Sequence, residues 1–263
     1  MNERIQPGVD DIKARHIKRQ LQHKRMMKRR RTIFFTVLTI IFISIILFFT
    51  PLFNIKHINI YGNIKLETAV IKQKIGSVEE ENLFRLNTKK IIKEIKTLPY
   101  TDDVKIKKKL IPSSLEVTVL ECVPIGFVFY NEQYIILDKN FKVLEILDTK
   151  IENLGEISGL EITSATPGAI LAVDDTEKLT SCTQCILELI NQELIFKIGK
   201  IDFSDMSDIL FTYENRLNVV CGSTVDFAKK IGMFSKAVSS SKLTADSRGT
   251  IDISISGKAI YTP

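Results

Sequence analysis

Tryptophan is absent from this chain of 263 residues, and histidine nearly so. Of the three His, His16 and His23 lie in a basic N-terminal stretch and His57 follows an apolar run; none occurs from residue 58 to the end. That excludes Ser-His-Asp and Cys-His catalysis, and any His-containing zinc site, from the bulk of the chain. Twelve Gly and seven Pro are too few for a collagen-like or low-complexity chain. Away from the N-terminus, positive charge is also lacking. Residues 1–31 hold eleven Lys/Arg against three acids, a stretch of +8, and the remainder holds 26 basic and 28 acidic residues, or −2. The pI of 9.0 therefore describes the tail, and the main body has no electrostatic case for binding nucleic acid. What remains is ordinary globular composition, 44% apolar and 26% charged, at a length that allows one large domain or two small ones.

From Thr32 to Ile55 no residue is charged. A helix of about 20 such residues crosses a hydrocarbon core of about 30 Å. The hydroxyls of Thr36, Thr39 and Ser44 can bond carbonyls one turn back, and Pro51 marks the far end. A cleaved signal peptide would have a shorter apolar region ending in small residues; this one ends in Phe48-Phe49-Thr50-Pro51. The reading is an uncleaved anchor with a cytoplasmic basic tail at 1–31 and a transmembrane helix at 32–53. The cluster Lys24 to Arg31 keeps the N-terminus inside. The tail is read as orienting the anchor.

Beyond the anchor, Ile55 to Tyr61 alternates as a strand, with turn chemistry at Gly62-Asn63. Leu66 to Ile75 reads as a helix with Leu66, Ala69 and Val70 on one stripe and Gly76 as its stop. Thr88 is taken as the cap of a second helix, with Ile91, Ile92, Ile95 and Leu98 inward and Pro99 ending it. Val104 to Leu110 and Leu115 to Glu121 are strands, joined by a turn at Ile111-Pro112-Ser113-Ser114. Two helices over a three-stranded sheet form a compact α+β unit. Strand candidates follow at Ile125 to Tyr130, Tyr134 to Asp138, Phe141 to Ile146, Ile195 to Ile198, Lys200 to Phe203, Ile209 to Tyr213 and Leu217 to Cys221. Helices are expected at Glu177 to Gln192, after Asp174-Asp175, and after Asp226 as cap, with Phe227, Ile231, Phe234 and Val238 along one side. The last strand is Ile251 to Ile255, continued by Ala259-Ile260-Tyr261. The expected architecture is α+β: one N-terminal transmembrane helix, the small unit at 54–122, then a mostly antiparallel β domain flanked by helices at 123–263.

Four segments in this order carry a resemblance. They are Phe53-Asn54-Ile55 through Tyr61-Gly62-Asn63, then Asn82-Leu83-Phe84-Arg85-Leu86, then Leu98-Pro99-Tyr100 with Val104-Lys105-Ile106 and Leu110 to Leu115. The fourth is Glu121-Cys122-Val123-Pro124 with Tyr134 to Asp138. They resemble the FtsQ/DivIB family of bacterial cell-division proteins; Cys122 stands where the family usually has Arg. The resemblance implies a POTRA domain at 54–122, a β domain after it, and a non-catalytic role in the divisome beside FtsL-like and FtsB/DivIC-like proteins. It also implies that the C-terminal edge of the β domain binds the FtsB-like partner.

Cys182-Thr183-Gln184-Cys185 is a C-x-x-C, but zinc needs a second pair, and Cys122 and Cys221 stand alone. A redox dithiol sits at a helix N-terminus, whereas Cys182 falls inside a helix on the stripe of Leu179, Ile186 and Leu189. Buried small side chains are the favoured reading. A thiol oxidoreductase built on Cys182 and Cys185 is the alternative, and the four cysteines leave three pairings open. Glu79-Glu80-Glu81 reads as a solvated loop. Lys105, Lys107, Lys108 and Lys109 read as a basic edge that discourages strand pairing. No catalytic, cofactor or metal residue is assigned, and neither nucleic acid nor a small-molecule substrate is expected. The expected site is a backbone edge formed by Ile251, Asp252, Ile253, Ser254, Ile255, Ile260 and Tyr261, open to strand addition by a partner.

Overall fold

In a computed structural model of the protein, residues 9–240, 243–244 and 246–263 are described, with side chains from residue 26 onward. Residues 1–8 of the basic tail lie outside them. The first helix, α1, runs Val9–Phe49, and its Met26–Phe49 portion is long and apolar enough to cross a membrane, with none of it buried in protein. The hydroxyls of Thr32, Thr36, Thr39 and Ser44 donate to carbonyls four residues back at 2.8–3.0 Å, so each polar group is satisfied within the helix. Pro51–Phe53 forms a single 3-10 turn at its end.

Next come β1 (His57–Tyr61), α2 (Thr68–Ile75), α3 (Thr88–Lys96), β2 (Thr101–Leu110) and β3 (Ser113–Glu121), with sheet order β1-β3-β2. This is the strand–helix–helix–strand–strand order read from the sequence, with four local corrections. The buried stripe of α2 is Ile71 and Ile75, while Ala69 and Val70 are exposed. Asn87 caps α3 in place of Thr88, its side chain accepting the Lys90 N–H at 3.2 Å. Strand β2 begins three residues earlier than expected. Ser113 and Ser114 belong to β3, leaving Ile111-Pro112 as the turn. The lysine-bearing β2 is an edge strand, as expected, and Lys108 Nζ donates to the Leu86 carbonyl at 2.8 Å.

The remaining strands are β4 (Gly126–Tyr130), β5 (Gln133–Leu137), β6 (Val143–Leu147), β7 (Gly155–Ser158), β8 (Ile162–Ser164), β9 (Ala172–Val173), β10 (Ile198–Asp202), β11 (Ile209–Tyr213), β12 (Leu217–Gly222), β13 (Gly249–Asp252) and β14 (Ile260–Thr262). Helices α4 (Thr176–Asn191) and α5 (Phe227–Val238) interrupt them. Nine strands form one sheet in the order β14-β13-β12-β11-β10-β7-β4-β5-β6, while β8 and β9 pair separately. Most pairings are antiparallel; β7 runs parallel to both its neighbours and β13 parallel to β12. The fold class is α+β, as read.

The expected strand at Ile195 to Ile198 is instead a 3-10 turn at Ile195–Lys197 followed by β10. Strands β7, β8 and β9 fall where the sequence showed no pattern. Asn131 (φ 49°) and Glu132 (φ 63°) are both left-handed, which makes the β4–β5 loop a two-residue turn whose twist matches the strands.

The chain packs as two compact units. One takes residues up to Ile58 with Val78–Leu86 and Lys108–Leu115; the other takes Asn59–Ser77, Asn87–Lys107 and Glu116–Pro263. In the larger unit, one face of the long sheet is covered by α4 and α5. Leu179, Cys182, Cys185, Ile186 and Leu189 of α4 and Phe227, Ile231 and Phe234 of α5 are buried there with Ile157, Ile201, Phe211, Val219 and Ile251. The Phe234 ring stands edge-on to Phe211 and Tyr213 at 5.3 and 5.2 Å. On the opposite face Phe127, Ile136, Leu144 and Cys122 make a smaller core. Also in this unit, Lys142 Nζ donates to the carbonyls of Lys96, Leu98 and Thr101 at 2.8–3.0 Å, which satisfies the last carbonyl of α3 and ties the segment that follows it to the start of β2. Burial holds its pKa below the usual lysine range. Lys139 pairs with Asp102 at 2.8 Å, and the Tyr100 hydroxyl donates to Glu145 at 2.9 Å.

Candidate partner interface

The expected site lies at one end of the nine-stranded sheet. Its residues do not form one continuous strand. β13 stops at Asp252, the chain turns through Ser256-Gly257-Lys258 with Gly257 at φ 86°, and β14 folds back antiparallel on β13. The partners across this hairpin are Thr250 with Thr262, Ile251 with Tyr261 and Asp252 with Ile260. β13 is also paired with β12 on its other side. Both edges of Ile251 and Asp252 are thereby occupied, which corrects the expectation that Ile251 to Ile255 present a free backbone edge.

Ile251 and Ile253 are fully buried, and the Ile253 N–H donates to Val220 O at 2.9 Å. Ser254 is half-buried, and its N–H is taken by the Asp252 carboxylate at 2.8 Å. The hydroxyl and N–H of Ser254 hold that carboxyl below the usual carboxylate range. Ile255 is exposed in the turn.

The outermost strand is β14, and no strand among the described residues pairs with its far side. Ile260, Tyr261 and Thr262 are all exposed. Thr262 was not among the expected residues. The Gly in the preceding turn was the available signal that the chain reverses there. The segment leading into β13 is held from its own unit: Arg216 Nη1 donates to the carbonyls of Thr244 and Ser247, while Arg216 Nη2 pairs with Glu214 at 2.8 Å. Gly249 (φ 136°) lies so close to Thr262 O that a Cβ there would overlap it.

The cysteines are arranged differently from a redox site. All four are buried and free. Cys182 and Cys185 sit mid-helix in α4, whose N-terminus is capped by Asp175 accepting the Lys178 N–H at 2.8 Å. Burial pushes both thiols up to about 12, the opposite of an activated dithiol. Asp226, expected as the α5 cap, takes the cap position in a left-handed conformation but makes no cap bond; its carboxylate pairs with Lys229 at 2.8 Å. Glu79, Glu80 and Glu81 lie exposed in a loop. Among the described residues no cluster of three or more His, Cys, Asp or Glu is disposed to hold a metal.

The segment from Phe53 to Glu121, with its strand–helix–helix–strand–strand order, matches the family profile "POTRA domain, FtsQ-type" over residues 53–121. Residues 53–121 are therefore a POTRA domain of the FtsQ type. "Cell division protein DivIB" of Clostridium acetobutylicum is 32% identical over 219 residues, 81% of this chain and 84% of the relative. That of Clostridium botulinum strain Hall is 29% identical over 243 residues, covering 89% and 92%. The solved extracytoplasmic domain of DivIB from Geobacillus stearothermophilus aligns with 45% of this chain and 92% of its own length, at 14% identity and a TM-score of 0.32, too low to bear on the fold. The chain belongs to the DivIB family of cell division proteins.

Proposed function

We propose that the protein is a non-catalytic, bitopic scaffold of the divisome at the division septum of the bacterial cell membrane. In this reading residues 1–31 are a cytoplasmic tail and 32–53 cross the membrane once. Residues 54–122 form the POTRA domain and 123–263 the β domain, both outside the cell. The excess of Lys and Arg just before the apolar run supports this orientation.

The protein recruits or stabilises FtsL-like and FtsB/DivIC-like partners. The observation that carries this is the unpaired outer side of β14. An edge strand offers N–H and C=O groups to an incoming strand, and alternate side chains set specificity. The thiol oxidoreductase reading is not favoured, because the Cys182 and Cys185 thiols are buried and held protonated.

The test has two arms. Protease added to intact, wall-stripped cells should digest the region after residue 54 and spare the tail; a protected C-terminal region would overturn the topology. Full-length protein in detergent should retain a DivIC-like ectodomain, and changes in β14 that leave the fold intact should release it. Retention by every folded β14 variant would remove this edge as the interface.

A further inference from the structure

A buried side chain ties the end of α1 to the chain that follows. Asn82 Nδ2 donates to the carbonyls of Leu47 at 3.2 Å and Thr50 at 2.9 Å, and its Oδ1 accepts the Phe84 N–H at 2.9 Å. Asn82 is only 7% exposed. The tie continues through the backbone: Leu83 N–H donates to Phe53 O, Ile55 N–H to Glu81 O, and Glu80 N–H to Ile55 O. The loop 80–86 is therefore fixed to the end of the apolar helix.

What this region presents there is apolar. Phe49 and Leu52 are each 71% exposed and Phe84 is 44% exposed. The Phe84 ring stands edge-on to Phe53 at 5.3 Å, and the Arg85 guanidinium lies over the Phe48 ring at 5.5 Å. Phe and Leu side chains bury at the boundary between headgroups and acyl chains, and Arg can bury its stem there while keeping its charge in water.

We propose that Phe84, with Leu52 and Phe49, is seated in the interfacial layer of the phospholipid bilayer. The unit holding residues 78–86 then rests on the membrane and does not stand off on a stalk. The inference rests on reading α1 as membrane-spanning. Continuity decides the occupant: a surface bonded to the final turn of a spanning helix is surrounded by lipid. Charge decides the mode. Beside the loop the charge is acidic: Glu79, Glu80 and Glu81 are exposed there, and the one basic side chain within 79–86, Arg85, is engaged with Phe48. Seating by apolar burial is indifferent to anionic lipid.

The absence of tryptophan provides the test. Full-length Phe84→Trp, Leu52→Trp and Phe42→Trp are each reconstituted in phosphatidylcholine vesicles carrying bromine at shallow or deep acyl positions. Phe42 lies mid-helix and reports the anchor itself. The expected result is blue-shifted emission for all three, with shallow bromine quenching positions 84 and 52 most and deep bromine quenching position 42 most. The same pattern should persist with phosphatidylglycerol added. If position 42 is quenched while 84 and 52 emit like indole in water and are not quenched, the proposal falls and the anchor stands. If position 42 is not quenched, the anchor reading falls and takes the proposal with it. Quenching at 84 and 52 only with phosphatidylglycerol overturns the apolar mode.

Discussion

Tyr261 sends its hydroxyl back across the terminal hairpin to the carbonyl of Arg248, 2.6 Å away. The ring is thus a brace for β14 as well as an exposed aromatic at the sheet edge. These roles separate by substitution. Tyr261→Phe removes only the brace and should cost about 0.5–1.5 kcal/mol of stability. Tyr261→Ala removes the ring too, and Tyr is over-represented among binding hot spots. The affinity of each variant for a DivIC-like ectodomain, set beside its melting temperature, should show a much larger loss for Ala than for Phe. Equal affinity in both, with β14 intact, would mean the ring touches no partner.

Proline distinguishes the two sides of β14. Neighbouring residues of a strand point their N–H groups to opposite edges. Of Ile260→Pro and Tyr261→Pro, one removes a bond to β13 and should loosen the hairpin. The other removes an outward N–H, leaving thermal melting unchanged while weakening partner binding. Two variants that both melt and bind like the parent would count against strand addition here.

The buried thiols of Cys182 and Cys185 should be inert at neutral pH. Their thiolates form only as pH rises toward about 12, so alkylation of the folded protein stays slow from pH 6 to 9 and accelerates on unfolding. Replacing both with Ala should cost about 1–3 kcal/mol of stability while septation continues. Fast alkylation of native protein, or filamentous cells at normal protein level and fold, would revive a redox role.

Acid should weaken the protein through Glu121. Its carboxylate accepts the backbone N–H groups of Ile64, Lys65 and Leu66 at 2.8–3.0 Å. Burial alone raises its pKa, but these bonds outweigh burial and hold it below the ordinary 4.5. A depressed folded value stabilises above the unfolded one, and that stability is lost as pH falls through the folded value. Glu121→Gln should be less stable than the parent by about 1–3 kcal/mol at neutral pH. The two should converge in acid, and denaturant melts at pH 7 and pH 3 decide it. A constant gap across that range would refute the assignment.

The order of elements up to Glu121 was legible because each announces itself locally. Ile58 and Ile60 alternate, Ile91, Ile95 and Leu98 keep helical spacing, and Gly76 stops its helix at φ 78°. What escaped depends on tertiary packing. β7 is Gly-Glu-Ile-Ser, with only Ile157 buried, yet it lies near the middle of the long sheet. Its place is set by close approach, since a Cβ on Gly155 would fall 2.5 Å from Ile198 O. At Ile195 to Ile198 the apolar run looked like a strand, but Ile195 and Ile198 are buried from a tight turn and the first residue of β10. Ile260 and Tyr261 lie on the outermost strand, while Ile251 and Asp252 lie on the strand behind it, paired on both sides. The alternation of Ile251, Ile253 and Ile255 reads the same whether the chain goes straight on or reverses at Gly257.

Asn82 gives the helix end a further property. A membrane helix joined to the domain after it by a slack linker can spin freely about its long axis. Here Leu47, Thr50 and Phe84 share one amide. Torque applied to α1 within the bilayer therefore turns the 80–86 loop with it, and a partner helix that fixes the azimuth of α1 also fixes the direction in which that loop faces.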